Sequence, residues 1–167
     1  MSTAKVGIVM GSASDLPKLE KAIEVLKGFG VGCEVRIMSA HRTPEDVGVW
    51  AGSAATRGLK VLIAAAGGAA HLAGAVAART TLPVIGIPVA TEPFNGLDSL
   101  LATVQMPPGI PVATVAAGTW GAENAALLAV QILALADADL AAKVAADRAK
   151  RADKARQADR ELQGKGG

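Results

Sequence analysis

The sequence predicts an α/β protein in which helices cover both faces of a parallel sheet. Apolar segments of strand length alternate five times along the chain with segments whose apolar residues recur at helical spacing. Most of the strand segments are continuously apolar instead of alternating with polar residues, which is typical of strands buried on both faces. Together these two observations predict an open parallel sheet with helices on both sides.

The first part of the chain contains three strand–helix pairs. The predicted strands are residues 5–10, 33–38 and 60–66. The predicted helices are residues 16–29, residues 44–57 and a third helix that follows the loop at 67–74 and ends near residue 79. Asp15 or Ser14 can cap the first helix, and Thr43 can cap the second with Pro44 at its first position. An acid three residues after Thr43 suggests a variant of the capping box.

The second part adds two strands, at residues 83–88 and 112–115. Asp98 and Ser99 are expected to cap a short helix that ends at about Gln105. Residues 121–136 form a helix rich in Ala and Leu, which predicts burial on several sides. The last helix, residues 140–162, mixes both signs of charge at helical spacing, as a solvated helix does.

Length and composition limit the classes of function. With 167 residues we expect one domain over 1–167, with a core at about 5–136 and a charged C-terminal helix at about 137–163. A net charge of +2 and only 2% aromatic residues argue against a nucleic-acid partner. Apolar runs are too short to cross a membrane, and the single Cys33 allows no internal disulfide. We therefore expect a cytoplasmic protein with Cys33 buried and inert.

Four loops of small and polar residues follow predicted strands, at residues 11–15, 39–44, 67–74 and 89–99. In open α/β sheets, ligands bind beyond the carboxyl ends of the strands. The four loops should therefore meet at one edge of the sheet and form one site.

The first loop offers the backbone of Gly11, the hydroxyls of Ser12 and Ser14, and the carboxylate of Asp15. Small residues let a ligand approach the backbone, and the following helix N-terminus favours an anion. The loop lacks the lysine and the further glycines of the common phosphate-binding motifs. A tight capped turn is the alternative, and Asp15 could either cap the helix or bind sugar hydroxyls.

The second loop contains Ser39 and Ala40, followed by His41 and Arg42. Histidine titrates near neutrality and suits proton transfer, while the guanidinium fork of arginine pairs with phosphate. A positive charge beside a helix N-terminus opposes the helix dipole, and an anionic ligand would remove that conflict. The alternative is a surface histidine beside a helix-end arginine.

The third loop begins with Gly67 and Gly68 and continues with Ala70, His71 and Leu72. Glycines allow positive φ or the close approach of a ligand. His71 could instead cap a helix or lie at an interface. No group of Cys, His, Asp and Glu has the spacing of metal ligands, so we predict no metal.

Seven motifs occur together in this order: 11–15 (GSASD), 39–44 (SAHRTP), 67–72 (GGAAHL), 83–88 (PVIGIP), 97–101 (LDSLL), 104–107 (VQMP) and 109–114 (GIPVAT). They resemble the bacterial, class I N5-carboxyaminoimidazole ribonucleotide mutases of purine biosynthesis. Residues 124–129 continue the likeness, which covers about residues 5–136.

The resemblance implies a flavodoxin-like three-layer α/β/α sandwich with a five-stranded parallel sheet and an extra C-terminal helix. It also implies a homo-octamer with a small-molecule ribonucleotide substrate, no cofactor and no metal. Enzymes of this family move a carboxylate from the exocyclic nitrogen of the substrate to C4 of its imidazole.

The resemblance also implies a role for individual residues of these loops. His41 would transfer the proton at C4, and His71 would shape the carboxylate pocket or the proton route. Asp15 would bind the ribose, and Arg42 would bind the phosphate with nearby hydroxyls and backbone N–H groups. The other expected substrate-binding residues are Gly11, Ser12, Ser14, Ser39, Ala40, Gly67, Gly68, Ala70 and Leu72.

The sequence departs from the family pattern at Ala65, Ala73, Trp120 and Glu123. These positions concern loop rigidity and subunit contacts more than the reaction. Two alternatives remain open: a carboxylase that uses CO₂ directly on the same fold, and a nucleotide-binding flavodoxin-like module without activity. A flavin protein is disfavoured because the loops lack aromatic residues that stack on a flavin.

Overall fold

A computed structural model describes residues 4–164 and confirms the predicted fold class. Five strands form one fully parallel sheet in the order β2-β1-β3-β4-β5. The strands are β1 Val6–Met10, β2 Cys33–Ile37, β3 Val61–Gly67, β4 Val84–Val89 and β5 Ala113–Thr114. This strand order is the flavodoxin-like one. Strand β2 is added on one side of β1 and the later strands on the other, so the topological switch point lies between β1 and β3.

Within the described residues, six α-helices surround the sheet. They are α1 Leu16–Gly28, α2 Pro44–Gly52, α3 Leu72–Ala77, α4 Leu97–Val104, α5 Gly118–Ala134 and α6 Ala138–Gln163. Helices α1 and α5 cover one face, and α2, α3 and α4 cover the other. The C-terminal α6 packs outside this three-layer arrangement, against α5. None of these helices is both long and apolar enough to span a bilayer.

The core forms as two clusters, one on each face of the sheet. Successive side chains of a strand point to opposite faces, so Ile8 packs with α1 and α5 while its neighbour Val9 packs with α2 and α3. The continuous apolar pattern of β1, β3 and β4 follows from this burial on both faces. Trp50 of α2 belongs to the second cluster and is 5% exposed.

The edge strands β2 and β5 are exceptions to this double burial. Ile37 is 54% exposed, and Cys33 is half-buried rather than fully buried as expected. Burial still raises the pKa of the Cys33 thiol, because the charged thiolate is disfavoured away from water. A strand at the edge of a sheet lacks a neighbour on one side, so an apolar sequence does not guarantee burial there.

Several helix ends differ from the predicted ones. Helix α2 ends at Gly52 instead of about residue 57, and turns follow over residues 53–58, where the hydroxyl of Ser53 donates to Val49 O. The N-cap of α4 is Gly96, with φ 88°, rather than Asp98 or Ser99. Ser99 lies inside the helix, where its buried hydroxyl donates to the carbonyl of Val89.

The C-terminal helix is attached to α5 by an ion-pair cluster centred on Arg151. Arg151 is 2.6 Å from the carboxylate of Glu123 on α5 and 2.6 Å from that of Asp147, one turn earlier on α6. Glu123 is one of the departures from the family pattern, and this contact gives it a structural role. Ala65 and Ala73 are buried in the core, whereas the 78% exposure of Trp120 has no explanation in the structure.

Candidate active site

The carboxyl ends of the strands bring the four predicted loops around one cavity of about 420 Å³. All the predicted site residues except Gly68 line this cavity. The lining consists of Gly11, Ser12, Ser14, Asp15, Ser39, Ala40, His41, Arg42, Ala66, Gly67, Ala70, His71, Leu72 and Thr91. The structure thus brings these residues together, while their chemical roles remain predictions.

Two lining residues, Ala66 and Thr91, are absent from the predicted set. Ala66 is near the end of β3, where nothing separates it from the other apolar residues of that strand. Thr91 belongs to the fourth predicted loop but has no titratable group to single it out. It lies so close to Gly67 that a Cβ on that glycine would be 2.7 Å from Thr91 Cγ2. That proximity, which only the fold creates, requires glycine at position 67.

The two histidines form a direct hydrogen bond. His41 Nε2 lies 2.7 Å from His71 Nδ1, and the rings meet edge to face with centroids 4.8 Å apart. One of these nitrogens donates the proton and the other accepts it, so the bond requires at least one neutral imidazole. His71 occupies the N-cap position of α3, but its side chain makes no capping bond. The side chain is therefore directed to His41, not to the helix end.

The loop that carries His41 is held by its own hydroxyl groups. Ser39 Oγ accepts hydrogen bonds from the backbone N–H groups of His41 and Arg42, at 3.3 and 3.2 Å. Thr43 Oγ1 accepts from Ser39 N and donates to Ser39 O. The predicted capping box is therefore wrong: Thr43 makes no side-chain cap bond to α2 and instead closes the loop. This closure holds the backbone of His41 and Arg42 in place.

Arg42 connects the second loop to the first. Its Nη2 donates to the carbonyl of Gly11 at 3.0 Å. No carboxylate within the described part of the chain lies within 4.0 Å of its guanidinium. The positive charge at the cavity is therefore not neutralised by an acidic side chain and is available to an anion.

The first loop begins with a turn of 3-10 helix, Ala13–Asp15, capped by Ser12. Ser12 Oγ accepts from the backbone N–H of Ser14, and the two hydroxyl oxygens are 2.8 Å apart. Asp15 stands at the N-cap of α1 without a side-chain cap bond. The capping alternative is therefore wrong for its carboxylate, which is left to the cavity.

Asp15 is 7% exposed, which is unusual for a carboxylate. Burial raises the pKa of the Asp15 carboxyl, and the charge of Lys18 and a backbone hydrogen bond from Ser12 offset part of that rise. A buried carboxylate at a cavity wall accepts hydrogen bonds well, since few water molecules compete with a ligand there.

The third loop has an unusual backbone. Gly68 has φ 61°, and the buried Ala70 has φ 44°, a region that residues with a side chain seldom adopt. Gly68 turns the chain here and is not among the residues that line the cavity, so its predicted contact with substrate stays a prediction. The turn brings Ala70 and His71 onto the cavity at the start of α3.

Taken together, the cavity offers one free guanidinium, a buried carboxylate, several hydroxyls and a hydrogen-bonded pair of imidazoles. Such a set can bind a ligand with an anionic group and hydroxyls, and can move a proton at a third point. Within residues 4–164, no three His, Cys, Asp or Glu side chains are grouped as metal ligands are.

Comparison with known proteins assigns the chain to a family. The model of the AIR carboxylase family matches residues 5–154. A protein of Pyrococcus abyssi is 59% identical over 131 residues, which are 78% of this chain and 74% of the relative. A protein of Bacillus subtilis is 55% identical over 139 residues, 83% and 86% of the two chains. Both are named N5-carboxyaminoimidazole ribonucleotide mutase.

Two further relatives extend the match. A protein of Mycobacterium tuberculosis with the same name is 54% identical over 159 residues, 95% of this chain and 90% of the relative. The crystal structure of Treponema denticola PurE superposes with a TM-score of 0.85 at 34% identity, covering 94% of this chain and 97% of that one. With the loops, the cavity and the matched residues in agreement, the chain belongs to the AIR carboxylase family.

Proposed function

We propose that the chain is an N5-carboxyaminoimidazole ribonucleotide mutase. It moves the carboxylate of its substrate from the exocyclic nitrogen to C4 and yields 4-carboxy-5-aminoimidazole ribonucleotide in purine biosynthesis. The observation that carries the proposal is the His41–His71 pair in one cavity with Arg42 and Asp15. The names of relatives that are 54–59% identical support the same reaction.

The substrate phosphate binds at Arg42 in this proposal. The guanidinium keeps N–H donors free beside the one that contacts Gly11. Ser12 and Ser14 line the same cavity, and their hydroxyls are further candidates to contact the phosphate. Ser39 Oγ already accepts two backbone N–H bonds, so it can serve the phosphate only by donating its proton. The ribose hydroxyls donate to the carboxylate of Asp15.

In this proposal, the imidazole ring of the substrate lies between His41 and the loop of Gly67, Ala70 and Leu72. Protonated His41 gives its proton to the exocyclic nitrogen as the N–C bond breaks, which releases CO₂ and a neutral amine. The electrons of the ring then form a C–C bond from C4 to the CO₂. C4 is now tetrahedral and carries both its original proton and the new carboxylate. Neutral His41 removes that proton, which restores the aromatic ring of the substrate and the protonated state of His41.

One histidine can serve both steps because imidazole gives and accepts a proton near neutral pH. When the CO₂ is kept beside C4, the two react within one complex. This proximity strongly favours recapture of the released CO₂ over capture of CO₂ from solution. His71, hydrogen-bonded to His41, holds that ring in place and contributes to the carboxylate pocket.

We further propose a homo-octamer. In the single chain His41 and His71 are exposed, whereas retention of CO₂ needs a cavity closed to water. An apolar stripe begins in the fourth loop and continues along α4, where Phe94, Leu97, Leu101 and Val104 are each about half exposed or more. Such a stripe supports a subunit interface. The alanines of α5 do not provide such a surface, because Ala122, Ala125, Ala126 and Ala129 are buried inside the chain.

Light scattering tests the assembly. We expect a mass near eight times the 16.7 kDa of the chain, and a monomer mass would contradict the proposal. We also expect the enzyme in the cytoplasm, since its single free cysteine suits a reducing compartment. Fractionation of cells that produce the protein would check this location.

The reaction is tested by incubation with the carbamate nucleotide in buffer without bicarbonate. We expect the 4-carboxy product to form, and no product would contradict the mutase. The family description names the carboxylase, so the second assay supplies aminoimidazole ribonucleotide and varies bicarbonate. A forward rate that depends on bicarbonate under these conditions, with no use of the carbamate, would favour the carboxylase. Nucleotide binding without turnover in either assay would favour the inactive module.

A further inference from the structure

The buried carboxylate of Asp15 has one cation beside it. Lys18 Nζ lies 3.8 Å from Asp15 Oδ1, one turn along α1. Of the other charged or titratable groups, Arg42, His41 and His71 line the same cavity, but none is within 4.0 Å of this carboxylate. Lys18 does not line the cavity itself, so any effect on a ligand passes through Asp15.

Lys18 also contacts the fourth loop of the site. Its Nζ lies 3.5 Å from the carbonyl oxygen of Ala90, to which it donates. The next residue, Thr91, lines the cavity and packs against Gly67 of the third loop. One ammonium group therefore joins the end of the first loop to the start of the fourth, on the outer side of the cavity.

We propose that Lys18 is a positioning residue that keeps Asp15 ionised and oriented toward the ribose site and ties it to the loop at Ala90. An ionised carboxylate accepts hydrogen bonds at both oxygens, whereas protonation turns one of them into an O–H donor and weakens the binding of two hydroxyls. Burial disfavours the ionised carboxylate, and a neighbouring ammonium group favours it. The kinetic consequence of this inference rests on the proposed function, in which Asp15 binds the ribose.

The effect concerns binding, not the chemical step. Without the ammonium, the pKa of Asp15 rises further, and a larger fraction of the enzyme holds a protonated carboxyl at mildly acidic pH. Lys18 itself is 41% exposed and the pair is long, so the effect is modest. We expect KM to rise about 2- to 5-fold as the pH falls toward the folded pKa of Asp15, a smaller rise near pH 8, and an unchanged kcat.

The chain contains a matched control on the same helix. Lys21 is 48% exposed and pairs with Glu24 at 3.3 Å, away from the cavity. The experiment compares Lys18→Met, Lys18→Arg and Lys21→Met with the parent. Carbon-13 NMR of labelled aspartate follows the titration of Asp15, with Asp15→Asn to assign its signal, and the kinetics are measured across the same pH range.

We expect Lys18→Met to raise the pKa of Asp15 and the acidic-pH KM, Lys18→Arg to restore both, and Lys21→Met to change neither. An unchanged titration in Lys18→Met would overturn the inference, and so would an equal change in Lys21→Met. The NMR titration needs no substrate. If the parent lacks mutase turnover, the proposed function fails, while the titration still decides the role of Lys18.

Discussion

Two cavities at opposite ends of the strands differ in their chemistry, and the larger of the two has the poorer set of functional groups. At the amino edge, the starts of β4 and β5 and the ends of α2 and α3 surround about 900 Å³. Among residues 4–164, Arg79 is the only charged or titratable one that lines it. The cavity of about 420 Å³ at the carboxyl edge has two histidines, an arginine and a buried aspartate.

The difference lies in the direction of the chain. At the carboxyl edge, strands end and helices begin, so loops there present N–H donors and the positive ends of helix dipoles. At the amino edge, helices end, and their carbonyls favour cations or water. Cavity size therefore does not identify the site, whereas the convergence of different functional groups does. Paired substitutions at the two edges test this conclusion.

The largest effect should come from His41. His41→Asn should lower kcat about 10²-fold or more, the scale of general acid–base catalysis, while the nucleotide still binds. Turnover and nucleotide binding are measured separately. Thr81→Ala in the amino-edge cavity is the control and should retain the activity of the parent. Near-normal kcat in His41→Asn would remove this residue from the proton transfer.

Arg42 and Arg79 form a matched pair of arginines, one in each cavity. Arg42→Ala should raise KM about 10- to 100-fold, since charge-assisted hydrogen bonds to the phosphate are lost. A dephosphorylated analogue should bind nearly as well to the variant as to the parent. Arg79→Ala should change neither affinity. Equal weakening of both ligands in Arg42→Ala would show that Arg42 does not bind the phosphate.

His71 should have a smaller effect than His41. His71→Asn removes one hydrogen bond from the His41 ring, and such a bond contributes about 2- to 10-fold. We expect kcat to fall within that range, measured beside His41→Asn under the same conditions. A loss as large as that of His41→Asn would instead make the two rings equal partners in the proton transfer.

Asp15 should show the smallest effect, on stability. Burial raises its pKa above the unfolded value, so the ionised form destabilises the fold at pH values above the folded pKa. Asp15→Asn should therefore raise Tm slightly at pH 7, although the nucleotide binds less well. The gain should shrink as pH falls through the folded pKa and vanish below the ordinary value of 3.8. Thermal unfolding across this range checks the sign.

The exposed Asp139, in the first turn of α6, is the control for that measurement. Its carboxylate interacts favourably with the positive end of the helix dipole and, being exposed, has little desolvation cost. Asp139→Asn should thus lower Tm or leave it unchanged at pH 7. A gain equal to that of Asp15→Asn would show that burial is not the reason.

Much of the fold and the choice of loops followed from local sequence. The unbroken apolar runs of β1, β3 and β4 predicted central parallel strands, because only strands covered on both faces have that pattern. The four motif loops were predicted because ligands bind beyond the carboxyl ends of parallel strands. Errors concentrated at ends and edges: α2 is shorter than predicted, and Cys33 is only half-buried.

The sequence by itself determined that one histidine and one arginine belong to a loop between a strand and a helix. Only the tertiary structure decided what those side chains contact. The hydrogen bond between His41 and His71 joins residues thirty positions apart. The hydrogen bond from Lys18 to Ala90 joins residues seventy-two positions apart. Local patterns report periodicity and capping over a few neighbours. Contacts of this range depend on how β1, β3 and β4 lie side by side, which no short stretch of the sequence specifies.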